Sequence, residues 1–163
     1  MPAVITQDPN MKIGRTNNTN RDFVELTAQL DAELNERYGT QQSEYDKYNK
    51  IVLNDTVIVG FLNDFPVACG CFKNVDSQTV EIKRMYVQTG HRRKGLSTKI
   101  LQALENWASE LGYSKAVLET GKGQPEAIAL YKKCGYQTIE NYGPYKNLEN
   151  SVCMEKLIKE GLV

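Results

Sequence analysis

Apolar residues recur at two spacings along this chain, and the switches between them mark out the elements. MKIGRT (11–16) predicts a first strand. Phe23, Leu26, Leu30, Leu34 and Tyr38 then follow at helical spacing, so a helix is predicted over about 21–38. Thr19-Asn20-Arg21-Asp22 reads as a capping box at its start and Gly39 as its stop. TVIVGFL (56–62) and PVACGCF (66–72) are β-branched or apolar runs joined by Asn63-Asp64, the composition of a hairpin. A turn at 75–78 leads to a strand over 79–87, and the three strands read as an antiparallel meander. Leu96, Ile100, Leu101, Leu104, Trp107, Ala108 and Leu111 form one apolar stripe, with Lys99, Gln102, Glu105 and Glu110 facing away. KAVLET (115–120) is the next strand, which implies a right-handed parallel crossover from the strand before the helix. Pro125 suits the first turn of a further helix that stops at Gly135. Strands at 136–139 and 151–157 complete the pattern, with a loop between them.

These elements predict an α+β fold: a mixed, mostly antiparallel sheet with flanking helices and one parallel crossover. Residues 1–10 hold two prolines and no period, and read as a loose arm before a single domain over 11–163. Residues 40–55 are polar with scattered Tyr45, Tyr48, Ile51 and Leu53, and read as a short helix or loop, partly packed.

One strand breaks the alternation rule. Val80 and Ile82 are apolar at even positions, Met85 and Val87 at odd ones. A β-bulge near Lys83–Arg84 would change the parity, and a strand buried on both faces at its end is the alternative; bulges gather beside active sites because they bend a strand and release ladder groups.

Composition narrows the chemistry. Lys plus Arg equals Asp plus Glu at 20 each, which argues against a general nucleic-acid or anionic-membrane binder, since both partners demand excess positive charge. Cys69, Cys71, Cys134 and Cys153 form no CxxC pair and His91 is the single histidine, so no metal is expected. No stretch approaches the ~20 apolar residues of a membrane span, and the N-terminus lacks a charged start with an apolar run, which points to a cytoplasmic protein.

Positive charge is instead local. Arg92, Arg93 and Lys94 precede the helix that opens at Leu96, and Gly95 lets a backbone approach a ligand closely. The first N–H groups of a helix have no intrahelical partner, so an anion placed there meets several donors at once. Ser97 and Thr98 add hydroxyls, and a pyrophosphate is the natural match. Gly90 and Gly95 have Walker A spacing, but Leu96 stands where that motif needs lysine, which excludes a nucleotide-hydrolysing P-loop.

VEIKRMYV followed by HRRKGLSTKILQALENWA resembles motif A of the Gcn5-related N-acetyltransferase superfamily, through Arg92, Gly95 and Ser97. Ser97 departs from the usual Gly or Ala but is also small. PEAIALYKKCGYQTI resembles the family's motif B, with Gln124 where many members have Asn. The resemblance covers roughly residues 11–157. It implies a sheet splayed between strands 4 and 5, with acetyl-CoA as co-substrate in the opening. Carried over residue by residue, it implies that Met85, Tyr86 and Val87 meet the pantetheine arm. Arg92, Arg93, Lys94, Gly95, Leu96, Ser97 and Thr98 would wrap the pyrophosphate, with Gln124 and Tyr131 completing the cofactor contacts. Tyr131 would be the general acid.

Acetyl transfer to an amine also needs a proton acceptor and a donor for the thioester oxygen. The main-chain N–H near Met85 is the candidate donor. Glu81, where family members often carry a glutamate, is the first candidate for the base, and Glu119 is the second. The expected activity is N-acetylation of a primary amine on a small molecule by direct attack. The alternatives are a non-catalytic acetyl-CoA-binding or sensing module, and a protein or peptide N-acetyltransferase. The acceptor pocket is expected around residues 30–50 and 139–150, where Tyr38, Tyr45, Tyr48, Tyr142 and Tyr145 cluster in sequence. Members of the family often dimerise, which leaves a homodimer open.

Overall fold

The computed structural model describes residues 10–39 and 53–158. Residues 1–9 of the expected arm at 1–10 and most of the polar segment, 40–52, lie outside the described residues. Seven strands form one sheet: β1 (Lys12–Thr16), β2 (Val57–Leu62), β3 (Phe65–Asn74), β4 (Thr79–Val87), β5 (Lys115–Gly121), β6 (Gln137–Ile139) and β7 (Ser151–Leu157). Their order across the sheet is β1-β2-β3-β4-β5-β7-β6. The helices are α1 (Arg21–Tyr38), α2 (Leu96–Glu110) and α3 (Pro125–Lys133). Every neighbouring pair is antiparallel except β4 with β5, the expected crossover through α2.

Local chemistry explains the joints. Asn63 and Asp64 both have positive φ, 52° and 70°, as a two-residue hairpin turn requires. The N-cap of α1 is Asn20, whose side chain accepts from the Phe23 N–H at 3.0 Å. Thr19, the first residue of the expected capping box, instead donates its hydroxyl to Asn17, so the box is replaced by a single Asn cap.

The sheet carries two apolar layers because its strands alternate. Ile58, Val80, Ile82, Leu118 and Met154 pack on one face with Ile100, Leu101 and Leu104 of α2 and Tyr131 of α3. Val57, Val59, Cys69, Cys71 and Tyr86 pack on the other with Phe23 and Leu26 of α1. The cysteines are free thiols, three of them buried.

The stripe on α2 differs from the expectation at its edges. Glu105 is buried, held by the Lys156 ammonium at 2.9 Å and the Tyr136 hydroxyl at 2.8 Å. Leu111, expected inside, is 55% exposed beyond the end of the helix. Trp107 is half-buried, edge-on to Phe72 and covered by the Arg15 guanidinium at 4.6 Å. The covered face of α2 therefore includes Glu105, for which Lys156 of β7 supplies the counter-charge.

The expected bulge is present. Cys71 pairs with Lys83 and Cys69 with Tyr86, so Arg84 and Met85 together face the single residue Gly70. Arg84 takes the left-handed conformation at φ 59°. A Cβ on Gly70 would lie 2.7 Å from the Met85 sulfur and 3.0 Å from Leu104, so only glycine lets Met85 seat against α2.

Leu104 is fully buried and Leu111 is not. Chemical denaturation should give a loss of about 2–5 kcal/mol for Leu104→Ala and less than about 1 kcal/mol for Leu111→Ala.

Candidate active site

The parallel pairing of β4 with β5 runs from Thr79 opposite Lys115 only as far as Ile82 opposite Leu118. Beyond it, β4 turns at Arg84 while β5 stays paired with β7 as far as Gly121 opposite Ser151. The strands part, and the gap between them is the site.

Two ion pairs fix the departing strand against α1. The Arg84 guanidinium donates to the Asp31 carboxylate at 2.8 Å and to the Thr27 carbonyl at 3.1 Å. The Arg92 guanidinium donates to the Glu33 carboxylate at 2.7 Å and to the Val87 carbonyl at 2.8 Å. Arg92 is thus engaged with α1 and its own strand, and lies 5.5 Å over the Tyr86 ring.

The loop before α2 winds tightly. Arg93 has φ 66° and Gly95, the N-cap of α2, has φ 80° in the left-handed region. An N-cap without a side chain cannot satisfy the first N–H groups of the helix, which leaves them available to an anion. A cleft of about 610 Å3 opens here, lined by Arg92, Arg93, Gly95, Leu96, Ser97 and Thr98 on one side and by Met85, Tyr86 and Val87 on another. Gln124 and Tyr131 close its far wall. Lys94 faces a neighbouring groove with His91 and Asp22.

A second cavity of about 140 Å3 lies between the parted strands. It adjoins the first through shared walls at Leu30, Met85, Gln124, Ala127 and Tyr131. Glu119, Lys83 and Arg84 line this inner cavity along with Tyr38 from the end of α1. Tyr38 packs directly on Gly121 and Gly123, and a Cβ at either glycine would collide with its ring or hydroxyl.

Burial sets the proton affinities. It lifts the Glu119 carboxyl to about 7, although the Ser151 hydroxyl, donating at 2.7 Å, and the Lys83 charge pull the other way. Burial also raises the Tyr131 phenol well above its usual range, so it stays protonated at neutral pH. The Lys83 ammonium is lowered by the same desolvation, opposed by Glu81.

Glu81 and Glu119 occupy different environments. Glu81 is 4% exposed and lies outside both cavities. Its carboxylate accepts from the Tyr142 hydroxyl at 2.8 Å and meets the ammonium groups of Lys73 and Lys83 at 3.6 and 3.9 Å. Tyr142 stacks edge-on with Tyr145, so these two tyrosines cover Glu81. Tyr45 and Tyr48 fall outside the described residues. Lys83 and Arg84 are not among the site residues expected from sequence. The parity break that flagged the bulge also placed them at its centre.

Among the described residues no helix is long and apolar enough to cross a membrane, and no group of three His, Cys, Asp or Glu side chains is arranged to hold a metal ion.

Comparison with known proteins places this architecture. The family model described as "Acetyltransferase (GNAT) family" matches residues 23–136. The IAA acetyltransferase of Azospirillum brasilense is 30% identical over 150 residues, covering 91% of this chain and 98% of that protein. A crystal structure from Klebsiella pneumoniae, described as an acyl-CoA N-acyltransferase, superposes with a TM-score of 0.78 at 31% identity, covering 93% of this chain and all of that one. A GNAT family acetyltransferase of Elizabethkingia anophelis, solved with acetyl-CoA bound, shares the fold at 16% identity and a TM-score of 0.67, over 92% of this chain and 99% of that one. With its β4–β5 splay, its bulged fourth strand and a family match across both sides of the cleft, the chain belongs to the GNAT family of acetyltransferases.

Proposed function

We propose that this enzyme moves an acetyl group from acetyl-CoA to a primary amine of a small molecule by direct attack. The observation that carries this reading is the junction of two cavities at Tyr131. One side offers the helix-start loop, and the other offers a carboxyl poised near neutrality.

The outer cleft suits the co-substrate. Its loop turns N–H groups toward an anion at Arg93–Thr98, and Met85 to Val87 form a strand edge that points from that loop to Tyr131. Gln124 and Ala127 border the same path. Bound there, acetyl-CoA supplies the activated thioester.

The inner cavity supplies the proton chemistry. A primary amine has a pKa near ~10.4 and must lose a proton to attack. As the N–C bond forms and the C–S bond breaks, the proton on nitrogen passes to a base and the sulfur takes one from an acid. Glu119 is the base in this reading, because it lines the cavity, whereas Glu81 is covered by Tyr142 and two lysines. Tyr131 is the acid, held protonated by burial at the junction. The Met85 N–H, in the bulge, is the donor for the thioester oxygen. The restricted volume of the inner cavity, about 140 Å3, favours a small molecule over a protein side chain presented on a folded surface.

Tyr131→Phe should keep its acetyl-CoA affinity in calorimetry while its turnover falls by roughly 10²-fold; unchanged turnover would remove Tyr131 from the reaction. The Glu119 pair with solvent protons is read from the pH profile. Log kcat/KM should rise with a slope of about 2 below pH ~7, where both Glu119 and the amine lose protons, and about 1 above it. Glu119→Gln should show the slope near 1 throughout and Glu81→Gln should keep the break; the reverse pattern would return the base role to Glu81.

A second readout is independent of activity. The Glu119 carboxyl is raised in the fold, so the folded state favours its neutral form. Its contribution to stability is full below pH ~4.5 and is lost as pH rises through about 7. Denaturation curves of Glu119→Gln should therefore lack a decline of about 3 kcal/mol that the parent shows across that window.

A further inference from the structure

The register of β4 on β5 stops with Ile82 opposite Leu118. Carried one residue further, it sets Lys83 level with Glu119, on the same side of the two strands, at the fork where they part. Both residues line the inner cavity. The Lys83 side chain is only 5% exposed, and burying an ammonium is costly unless charge compensates it.

The compensation is shared. Lys83 lies 3.9 Å from Glu81 and 3.3 Å from the Tyr145 hydroxyl. Glu81, however, also meets Lys73 at 3.6 Å and accepts from Tyr142. Lys73 and Lys83 thus share Glu81, and the Lys83 and Glu119 charges also act on each other. Arg84 does not add to this, because Asp31 and the Thr27 carbonyl take its guanidinium.

A cavity wall with a cation and a carboxyl side by side is the complement of a molecule that carries an amine and a carboxylate on neighbouring carbons. We propose that the acceptor is a small amino acid, α or β, whose carboxylate pairs with Lys83 while its amine sits at Glu119. This rests on the transfer reaction proposed above and names its substrate class. The step itself is unchanged. The amine nitrogen gains the acetyl carbon and gives its proton to Glu119, the sulfur leaves, and the carboxylate only anchors.

The test compares matched pairs. Glycine, β-alanine and the common L-amino acids are each assayed beside the corresponding amide by release of the CoA thiol, with kcat/KM expressed per free amine so that the lower amine pKa of the amide does not bias the result. The expected result is at least a tenfold preference for one or more acids over their amides. Lys83→Met should shrink that ratio at least tenfold and Lys83→Arg should restore part of it. The parent enzyme alone decides the matter if the Met variant does not fold. Equal or better use of amides and plain alkylamines would overturn the proposal while leaving amine acetylation standing. Equal losses on acid and amide in a folded Lys83→Met would also overturn it, and would make Lys83 a residue that only positions Glu119. Thiol release with no amine in the panel would overturn the transfer reading and this inference with it.

Discussion

Four residues of parallel pairing, Thr79–Ile82 against Lys115–Leu118, hold β4 and β5 together, and the site exists because the pairing goes no further. Two parallel strands would ordinarily continue, since every unpaired N–H and C=O away from water costs free energy. Here β4 is turned out of register by Arg84 in the left-handed region, a conformation costing an ordinary residue ~1–2 kcal/mol. The turn is held because the same side chain reaches α1, where Asp31 and the Thr27 carbonyl receive it, and because Gly70 leaves room for Met85 beneath α2. One residue therefore couples backbone strain, helix docking and the opening of the cleft.

The opening brings together two groups whose proton affinities burial raises, with different results. Tyr131 is kept as an acid and Glu119 is lifted toward neutrality without being silenced, since Ser151 and Lys83 both favour its charged form. Acid and base work in one site generally depends on titratable groups in contrasting surroundings. The source of the contrast is geometric. Tyr131 sits on α3 within the apolar layer, while Glu119 sits on the opposite side of β5 among the charges at the fork.

Much of this was legible in the chain. Among the described residues the period switches gave the strands and α-helices within a residue or two, because apolar spacing follows the faces each element buries. The parity change between Ile82 and Met85 located the bulge, since an extra residue shifts a two-residue period by one. What stayed hidden depended on partners distant in sequence. Glu105 looked solvated until Lys156 and Tyr136 arrived from later elements. Glu81 and Glu119 look equivalent by alternation, and nothing local says that Tyr142 covers one and leaves the other on the cavity. Nothing local says that Glu33, 59 residues before Arg92, engages its guanidinium.

The central claim is that the parted strands and the start of α2 form one continuous acyl-donor cleft leading to Tyr131. A crystal structure of the enzyme with CoA tests it most directly. The account predicts pyrophosphate oxygens within hydrogen-bonding distance of the backbone N–H groups of Arg93 to Thr98, the pantetheine arm along Met85 to Val87, and the sulfur beside the Tyr131 hydroxyl. A pyrophosphate bound elsewhere, or a sulfur directed away from Tyr131, would contradict it.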